Sequence, residues 1–146
     1  TKTQSKIGCS VSVENIINKY PDGRMDILVR GRKIFKVQKQ AFLGDLAIGD
    51  ITFMPDLKPL DKDIFNPLLD KYMKLMLAAG FKDNLDHHLS KTLTFELLEM
   101  IQTSHHFELE LLRLDSEKKR AGFLDQFFSS ILKQSKLFNS DRGYQS

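Results

Sequence analysis

The sequence of 146 residues has a single cysteine and no long apolar run. Cys9 alone cannot close an intramolecular disulfide, which excludes the disulfide-rich secreted scaffolds and favours a reducing compartment. Its place in an alternating apolar segment predicts a buried, structural side chain. The longest apolar stretches, such as 75–79, are far shorter than the roughly 18 residues of a membrane-spanning helix. Residues 1–6 carry no secretory signal. We therefore expect a cytoplasmic protein that has no membrane contact.

The common catalytic motifs are missing as well. The sequence has no Gly-Lys pair, which excludes an ordinary phosphate-binding P-loop, and it contains no G-x-S-x-G, H-E-x-x-H, G-x-G-x-x-G or C-x-x-C pattern. The four histidines form two adjacent pairs, 87–88 and 105–106. Neighbouring helix positions diverge by about 100°, so neither pair can chelate one ion by itself, and a site would also need Asp86 or Glu110. We predict no metal, no cofactor and no catalytic residue, and hence no enzyme.

The charge is mild overall but unevenly distributed. The sequence has 22 basic and 19 acidic side chains, a net charge of +3, which is too small to indicate a nucleic-acid-binding protein. Residues 1–60 carry 10 of the basic and 6 of the acidic side chains, whereas residues 61–146 carry 12 and 13. The difference predicts two regions of different character.

The first region has the period of β-strands. Apolar residues alternate with small polar ones over 7–13, and the phase slips at Asn15, as a bulge would produce. The Tyr-Pro-Asp-Gly sequence at 20–23 predicts a turn between two antiparallel strands. Gly31 interrupts the second strand and marks a bend within it. With a last short strand over 51–54, the pattern predicts a small antiparallel sheet or barrel.

Beyond two prolines at 55–59 the apolar period changes from two to 3.6, which is typical of amphipathic helices. Pro67 predicts the first turn of one helix, and Gly80 lies where its C-terminal cap belongs. A second, shorter helix is expected over 93–102. Ser104 is placed to cap a third helix.

Residues 115–117 are expected to open the fourth and longest helix. The sequence as a whole thus predicts an α+β protein. We expect a β region over 1–58, a helical bundle over 59–138 and a polar tail over 139–146.

A basic strip in the second strand is a candidate nucleic-acid surface. Arg30, Arg32 and Lys36 are even numbers of residues apart, so their side chains would line one face of the strand. Phe35 would supply a ring for base stacking if the bend at Gly31 turns it to that face. A solvated outer face explains the same residues. Because nucleic-acid footprints are usually denser, nucleic acid is the less favoured partner.

Four segments match the pattern of one family. They are Ile7-Gly8-Cys9, the Pro-Asp-Gly-Arg turn at 21–24, the run from Ile27 through Gly31 to Val37, and Leu114-Asp115-Ser116-Glu117-Lys118-Lys119. Together they resemble the N-terminal, substrate-binding domain of the Lon (ATP-dependent protease La) family, over roughly residues 7–135. The resemblance implies a PUA-like antiparallel β region, a partial barrel, followed by an α-helical bundle, in a stand-alone bacterial protein.

Two departures from the family pattern affect this interpretation. The ATPase and Ser-Lys protease domains of full-length Lon are absent, and so is a β segment that precedes these motifs in family members. A barrel without that segment would have open edges and an uncovered core. The sequence leaves three explanations open: a fragment, strands supplied by a partner, or a numbering that omits them.

The resemblance implies a noncatalytic module that binds unfolded or extended polypeptide through an apolar groove or a sheet edge. The candidate contacts, which lie in or beside loops, are Phe42, Leu43, Leu46 and Met54. The alternative for all four is packing under the helices. An RNA-binding module that uses the basic strip is the alternative function, since PUA-like barrels also host that activity. An open sheet edge makes a homo-oligomer an additional expectation.

Overall fold

The chain divides into two compact units, Thr1–Asp56 and Leu57–Ser146, and a computed structural model describes residues 6–142 of it. The strands belong to the first unit and the helices to the second, which confirms the predicted α+β class. In chain order the elements are β1 (Ile7–Lys19), β2 (Met25–Leu43), β3 (Leu46–Phe53), α1 (Lys62–Ala78), α2 (Leu85–Leu89), a 3₁₀ turn (Phe95–Leu98), α3 (His105–Arg113) and α4 (Glu117–Arg142).

The β unit is one antiparallel sheet with the strand order β1-β2-β3. The long strand β2 pairs with β1 along its first part and with β3 along its last part. The predicted turn at 20–23 is confirmed, because the Tyr20 N–H donates to the Arg24 carbonyl at 2.9 Å and Gly23 has a φ of 89°. Only glycine adopts that backbone region without strain.

The last strand is longer than predicted. We expected it over 51–54, but β3 begins at Leu46, directly after a two-residue turn in which Gly44 has a φ of 60°. Gly49, which looks like a turn former in the sequence, pairs with β2 instead. A Cβ at this position would lie 2.6 Å from the Lys39 carbonyl oxygen, so the close approach of the two backbones requires glycine here.

The pairing of β1 with β2 is irregular at three places. Cys9 pairs with Ile34 and Val11 pairs with Gly31, so β2 has one more residue than β1 between these pairs. This confirms the bend predicted at Gly31, and a second irregularity confirms the slip predicted at Asn15. Because side chains alternate between the two faces of a strand, one extra residue in a strand moves each later side chain of that strand to the face opposite the one that strict alternation predicts.

The two faces of the sheet are named here the Phe35 face and the Val13 face. Residues that pair across antiparallel strands lie on the same face. Gly8 and Phe53 pair with Phe35 and share its face, and Val29 pairs with Val13 and shares the other.

Cys9 lies on the Val13 face and is exposed, so the prediction of a buried cysteine is wrong. Its alternation with Val11 and Val13 correctly indicates a strand. Among residues 6–56, however, no second layer of structure packs on this face, and the apolar alternation therefore does not lead to burial.

The first helix begins earlier than its proline suggests. We expected Pro67 in the first turn, but α1 begins at Lys62 and Pro67 lies inside it. At the sixth position of the helix the proline has no N–H to donate to the Asp63 carbonyl, so α1 lacks one hydrogen bond there. The predicted end is confirmed: Gly80 has a φ of 90°, and the Phe81 N–H donates to the Met76 carbonyl at 3.0 Å, as in a Schellman motif.

The helix predicted over 93–102 is wrong, since the structure has only the 3₁₀ turn Phe95–Leu98 in this segment. The N–H groups at the start of this segment are capped by a carboxylate, as at the N-terminus of a helix. Glu96 accepts the N–H groups of Thr92 and Leu93 at 2.7 and 2.9 Å. The unit also contains the short helix α2, which the sequence pattern did not predict.

The starts of the last two helices agree with their predicted caps. The Ser104 hydroxyl accepts the Phe107 N–H at 3.2 Å and begins α3, and α4 begins at Glu117, within the predicted opening segment. α4 continues to Arg142, and residues 143–146 of the predicted tail lie outside the described part of the chain.

Within the side chains that the structure describes, the helical unit has one apolar core, formed by ten buried residues and the side chains packed against them. Its most buried members, each with no solvent exposure, are Tyr72, Leu97, Leu124 and Phe128. The Tyr72 hydroxyl pairs with Nδ1 of the buried His88 at 2.7 Å. Burial of the ring raises the pKa of Tyr72, so the phenol stays protonated at neutral pH.

A buried ion pair joins the 3₁₀ turn to α4. Arg120 Nε donates to Glu117 Oε1 at 2.7 Å, and the Thr94 N–H donates to Glu117 Oε2 at 2.9 Å. Both charged side chains are at most 5% exposed. Glu117 lies in one of the segments that resemble the Lon family, and the structure shows why a carboxylate is needed there.

Candidate binding surface of the sheet

The sheet has apolar strands but no core. Within residues 6–56 none is buried, and the least exposed side chains are only half-buried. The exposed side chains include many that normally form cores, such as Val13, Ile17 and Phe42, at 58, 61 and 66% exposure. Exposed apolar surface of this extent makes the sheet the candidate binding surface.

A depression of about 410 Å³ lies on the β unit. It is lined by Ile7, Gly8, Phe35, Val37, Gln40, Ala47, Ile48 and Ile51. The Phe35 ring forms its floor beside Gly8: a Cβ on that glycine would lie 2.5 Å from the ring. Phe53 meets the same ring edge-on, with 6.3 Å between the centroids. We call this cavity the sheet depression.

Three of the four predicted polypeptide contacts lie at the β2–β3 turn, Phe42 on the Phe35 face and Leu43 and Leu46 on the Val13 face. Leu43 pairs with Leu46 across the β2–β3 turn, and Phe42 pairs with Ala47, which lines the sheet depression. Phe42, Leu43 and Leu46 are 63–70% exposed, so none of them packs in a core. Met54 is not part of this group. It follows the far end of β3, is half-buried, and donates its N–H to the Ile34 carbonyl at 2.8 Å.

The structure separates the residues of the basic strip. Arg30 pairs with Ser12 on the Phe35 face, whereas Lys36 pairs with Ile7 on the Val13 face. The extra residue after Gly31 reverses the face on which the later side chains of β2 lie. The one-face arrangement that we expected from sequence spacing is therefore wrong.

The two arginines of the strip are also engaged locally. Arg30 forms an ion pair with Glu14, and its hydrogen bond holds the pKa of the Glu14 carboxyl below the usual range. Arg32 Nε donates to the Ser12 hydroxyl at 2.9 Å. Charges already compensated in this way leave little free cationic surface on the Phe35 face for phosphates.

The distal end of the β1–β2 hairpin is fixed by a carboxylate. The Tyr20 hydroxyl donates to Asp26 at 2.7 Å and the Asn18 amide donates to it at 3.1 Å. These hydrogen bonds lower the pKa of Asp26, that from Tyr20 most, and the carboxylate in turn raises the pKa of Tyr20.

Sequence reasoning missed a second apolar surface, on the Val13 face. Its centre is formed by two cross-strand pairs, Val13 with Val29 and Ile16 with Ile27. With their alternating neighbours they form what we call the hairpin stripe: Val11, Val13, Ile16, Met25, Ile27 and Val29, which are 40–58% exposed. The signal was present in the sequence, but alternation alone does not tell a core-facing strand from one that faces a partner.

The helical unit has an apolar groove of about 510 Å³ and a smaller one of about 260 Å³. Phe95, Leu98 and Leu112 line the larger groove, together with the carboxylates of Glu99 and Glu108. Neither groove contains a nucleophile paired with a base, so the arrangement offers shape and apolar surface and no evident chemistry.

The histidine pairs have local partners. His88 is bonded to Tyr72, and His87 Nε2 lies 3.6 Å from the Glu99 carboxylate. His105 is exposed, 3.7 Å from Glu108. In the portion of the chain that the structure describes, no three His, Cys, Asp or Glu side chains are grouped as metal ligands would be. Nor does any helix in that portion have the length and apolar character to cross a membrane.

A scan against protein-family models found no match, and a search of curated proteins found no significant one. Solved structures do match. The N-terminal domain of the Mycobacterium avium complex Lon protease superposes with a TM-score of 0.70 at 14% identity, covering 88% of this chain and 73% of that one. A Lon N-terminal domain protein from Xanthomonas campestris gives a TM-score of 0.57 at 20% identity, covering 86% and 68%. The chain therefore has the fold of Lon N-terminal domains, as the resemblance in sequence predicted.

Proposed function

We propose that this protein is a noncatalytic module that binds unfolded or extended polypeptide at the sheet depression and the exposed apolar residues beside it. The observation that carries the proposal is a sheet rich in apolar side chains in which none of the described residues is buried. The fold shared with Lon N-terminal domains, the substrate-binding part of that protease family, supports it.

The geometry of the site suits an extended chain. Phe35, Val37 and Ile51 present an apolar floor, and Phe42 stands beside it at 66% exposure. A bound segment that places every second side chain in the depression would bury apolar surface, at about 25 cal/mol per Å². Main-chain hydrogen bonds to an unpaired strand edge would add affinity without selecting a particular sequence.

The basic strip offers less support for RNA binding. Lys36 lies on the face opposite Arg30 and Arg32, and Arg30 is already paired with Glu14. Binding that rests on apolar contacts should persist in high salt, whereas phosphate binding weakens steeply with salt.

The proposal is tested with a double variant, Phe42→Ser with Ile51→Ser, which removes exposed apolar contacts at 66 and 43% exposure. Binding of a fluorescent, reduced and carboxymethylated polypeptide to the full chain is followed by anisotropy. We expect the affinity to fall about tenfold or more, since two apolar contacts of about 1 kcal/mol each are lost.

The matched control is Leu77→Ser with Leu89→Ser, which removes two leucines of similar exposure, 48 and 53%, from the helical unit. The control should bind like the unchanged protein, and circular dichroism should show both variants folded. Equal affinity of the two double variants would refute the sheet depression as the binding site.

A further inference from the structure

Within β1 and the part of β2 that pairs with it, the charged residues on the face of the hairpin stripe are of one sign, while Asp50 of β3 and its cross-strand partner Lys39 lie farther along the same face. Lys19 pairs with Met25 at one end of the stripe, and Lys36 pairs with Ile7 beyond the other end. By the alternation of β1 and β2 both lysines lie on the Val13 face. Neither has an acidic partner within the described residues.

The carboxylates of these two strands lie on the opposite side. Glu14 is held by Arg30, and Asp26 pairs with Asn18 and accepts a hydrogen bond from it. Three other cations of the hairpin are compensated or bonded: Arg24 pairs with Asp22, Lys33 pairs with Asp56, and Arg32 donates to Ser12. The Val13 face of the hairpin thus combines apolar side chains with two uncompensated lysines.

From this combination we infer that the hairpin stripe is a docking surface for an extended polypeptide segment that is apolar at alternate positions and acidic near its ends. β1 from Ile7 to Lys19 spans up to about 40 Å at about 3.3 Å per residue, so such a segment has about a dozen residues. A period of two on the pleated surface matches the side-chain spacing of another strand, which favours an extended partner over a helix.

Charge complementarity decides the sign of the partner. Carboxylates near the ends of a bound segment would be attracted to Lys19 and Lys36, and cationic ends would be repelled. The two lysines also oppose the pairing of this face with a second copy of itself, since like charges would come together at both ends. Because the stripe lies on the face opposite Phe35, this inference does not depend on the function proposed above.

The test uses two synthetic peptides with one common core of valine alternating with serine, flanked either by glutamates or by lysines. Fluorescence anisotropy against the full chain measures their affinities in low and in high salt. We expect the acidic peptide to bind about five- to tenfold more tightly in low salt, from two exposed charge pairs, and the preference to disappear in high salt.

The charge-reversal variant Lys19→Glu with Lys36→Glu should invert the preference. Its matched control, Lys82→Glu with Lys118→Glu, changes the net charge equally in the helical unit and should retain it. The variant Val13→Thr with Val29→Thr keeps β-branched side chains and should weaken both peptides.

Three results would overturn the inference. Equal affinities for the two peptides, or the same preference in both charge variants, would show that the lysines do not select the partner. Binding of anionic lipid vesicles but of neither peptide would make the stripe a membrane surface. A dimer in light scattering that dissociates in the Val13→Thr with Val29→Thr variant would assign the stripe to a second copy. The Phe42→Ser with Ile51→Ser variant must leave the acidic preference unchanged, which separates this surface from the sheet depression.

Discussion

The two units of this protein use apolar residues in opposite ways. The helical unit buries ten of them in a core that includes Tyr72, Leu124 and Phe128. The sheet buries none of its described residues, although it contains strongly apolar strands. A helical bundle can cover the apolar faces of its own helices, whereas a single three-stranded sheet leaves both of its faces without a covering layer.

The comparison teaches that the same sequence signal has two outcomes. Periodic apolar residues in α1 and α4 become a core that stabilises the fold. Periodic apolar residues in β1 and β2 remain exposed. We therefore expect substitutions of apolar residues to change stability in the helical unit and binding in the sheet.

The sharpest test of this difference compares two phenylalanines. Phe128 is fully buried and Phe42 is 66% exposed. Phe128→Ala should lower the free energy of unfolding by about 3–5 kcal/mol, because it removes buried area and leaves a cavity. Phe42→Ala should change it by about 0.5 kcal/mol or less. Urea unfolding followed by circular dichroism measures both, and similar losses would contradict the contrast between the units.

A second, smaller effect compares two glycines. Gly49→Ala would bring a Cβ to 2.6 Å from the Lys39 carbonyl oxygen in the sheet, while the space around Gly122 in α4 is open. We expect Gly49→Ala to destabilise the β2–β3 pairing by about 1–3 kcal/mol. Gly122→Ala should stabilise α4 by about 0.5–1 kcal/mol. Amide hydrogen exchange in β3 and thermal unfolding measure these effects, and unchanged exchange in β3 would count against the close approach.

The smallest expected effect is a pH dependence in the helical unit. The hydrogen bond and charge of Lys91 lower the pKa of Glu99 from its ordinary value of 4.5. A carboxyl with a lowered folded pKa contributes stability that is complete above the unfolded pKa and is lost as the pH falls through the folded one. Lys91→Met should therefore make unfolding less dependent on pH between about 5 and 3.

The control for this prediction is Lys74→Met, which removes an exposed i,i+4 pair with Asp70. Exposed pairs contribute little, so its pH profile should match that of the unchanged protein. Lys91, by contrast, has a side chain that is only 3% exposed. Identical profiles for all three proteins would show that the Lys91 pair does not contribute to the pH dependence of stability.

Elements with strong local signals were predictable from the sequence. The turn at 20–23, the cap at Ser104 and the end of α1 at Gly80 depend on residues within a few positions of each other. The helix expected over 93–102 was not: only the 3₁₀ turn Phe95–Leu98 forms, and the segment is held by a hydrogen bond from the Thr94 N–H to Glu117, which is distant in sequence. Local propensity cannot include a hydrogen bond from another element.

The candidate site was predictable only in part. Phe42, Leu43 and Leu46 lie at the β2–β3 turn on two faces of the sheet, and their role as polypeptide contacts stays a prediction. Met54 was grouped with them, although it lies at the opposite end of β3. The hairpin stripe was not predictable, because the same alternation of apolar residues is typical of a strand that packs on a core.

The sequence by itself determined the succession of a strand region and a helical region, the β1–β2 hairpin and the likeness to Lon N-terminal domains, because these follow from short-range periodicity and turn residues. The tertiary structure alone decided which face each strand residue occupies. Because β2 has one extra residue between Gly31 and Ile34, Lys36 lies on the Val13 face, with the hairpin stripe, while Arg30 lies on the Phe35 face. Strand register depends on pairing between distant segments, and no local pattern contains it.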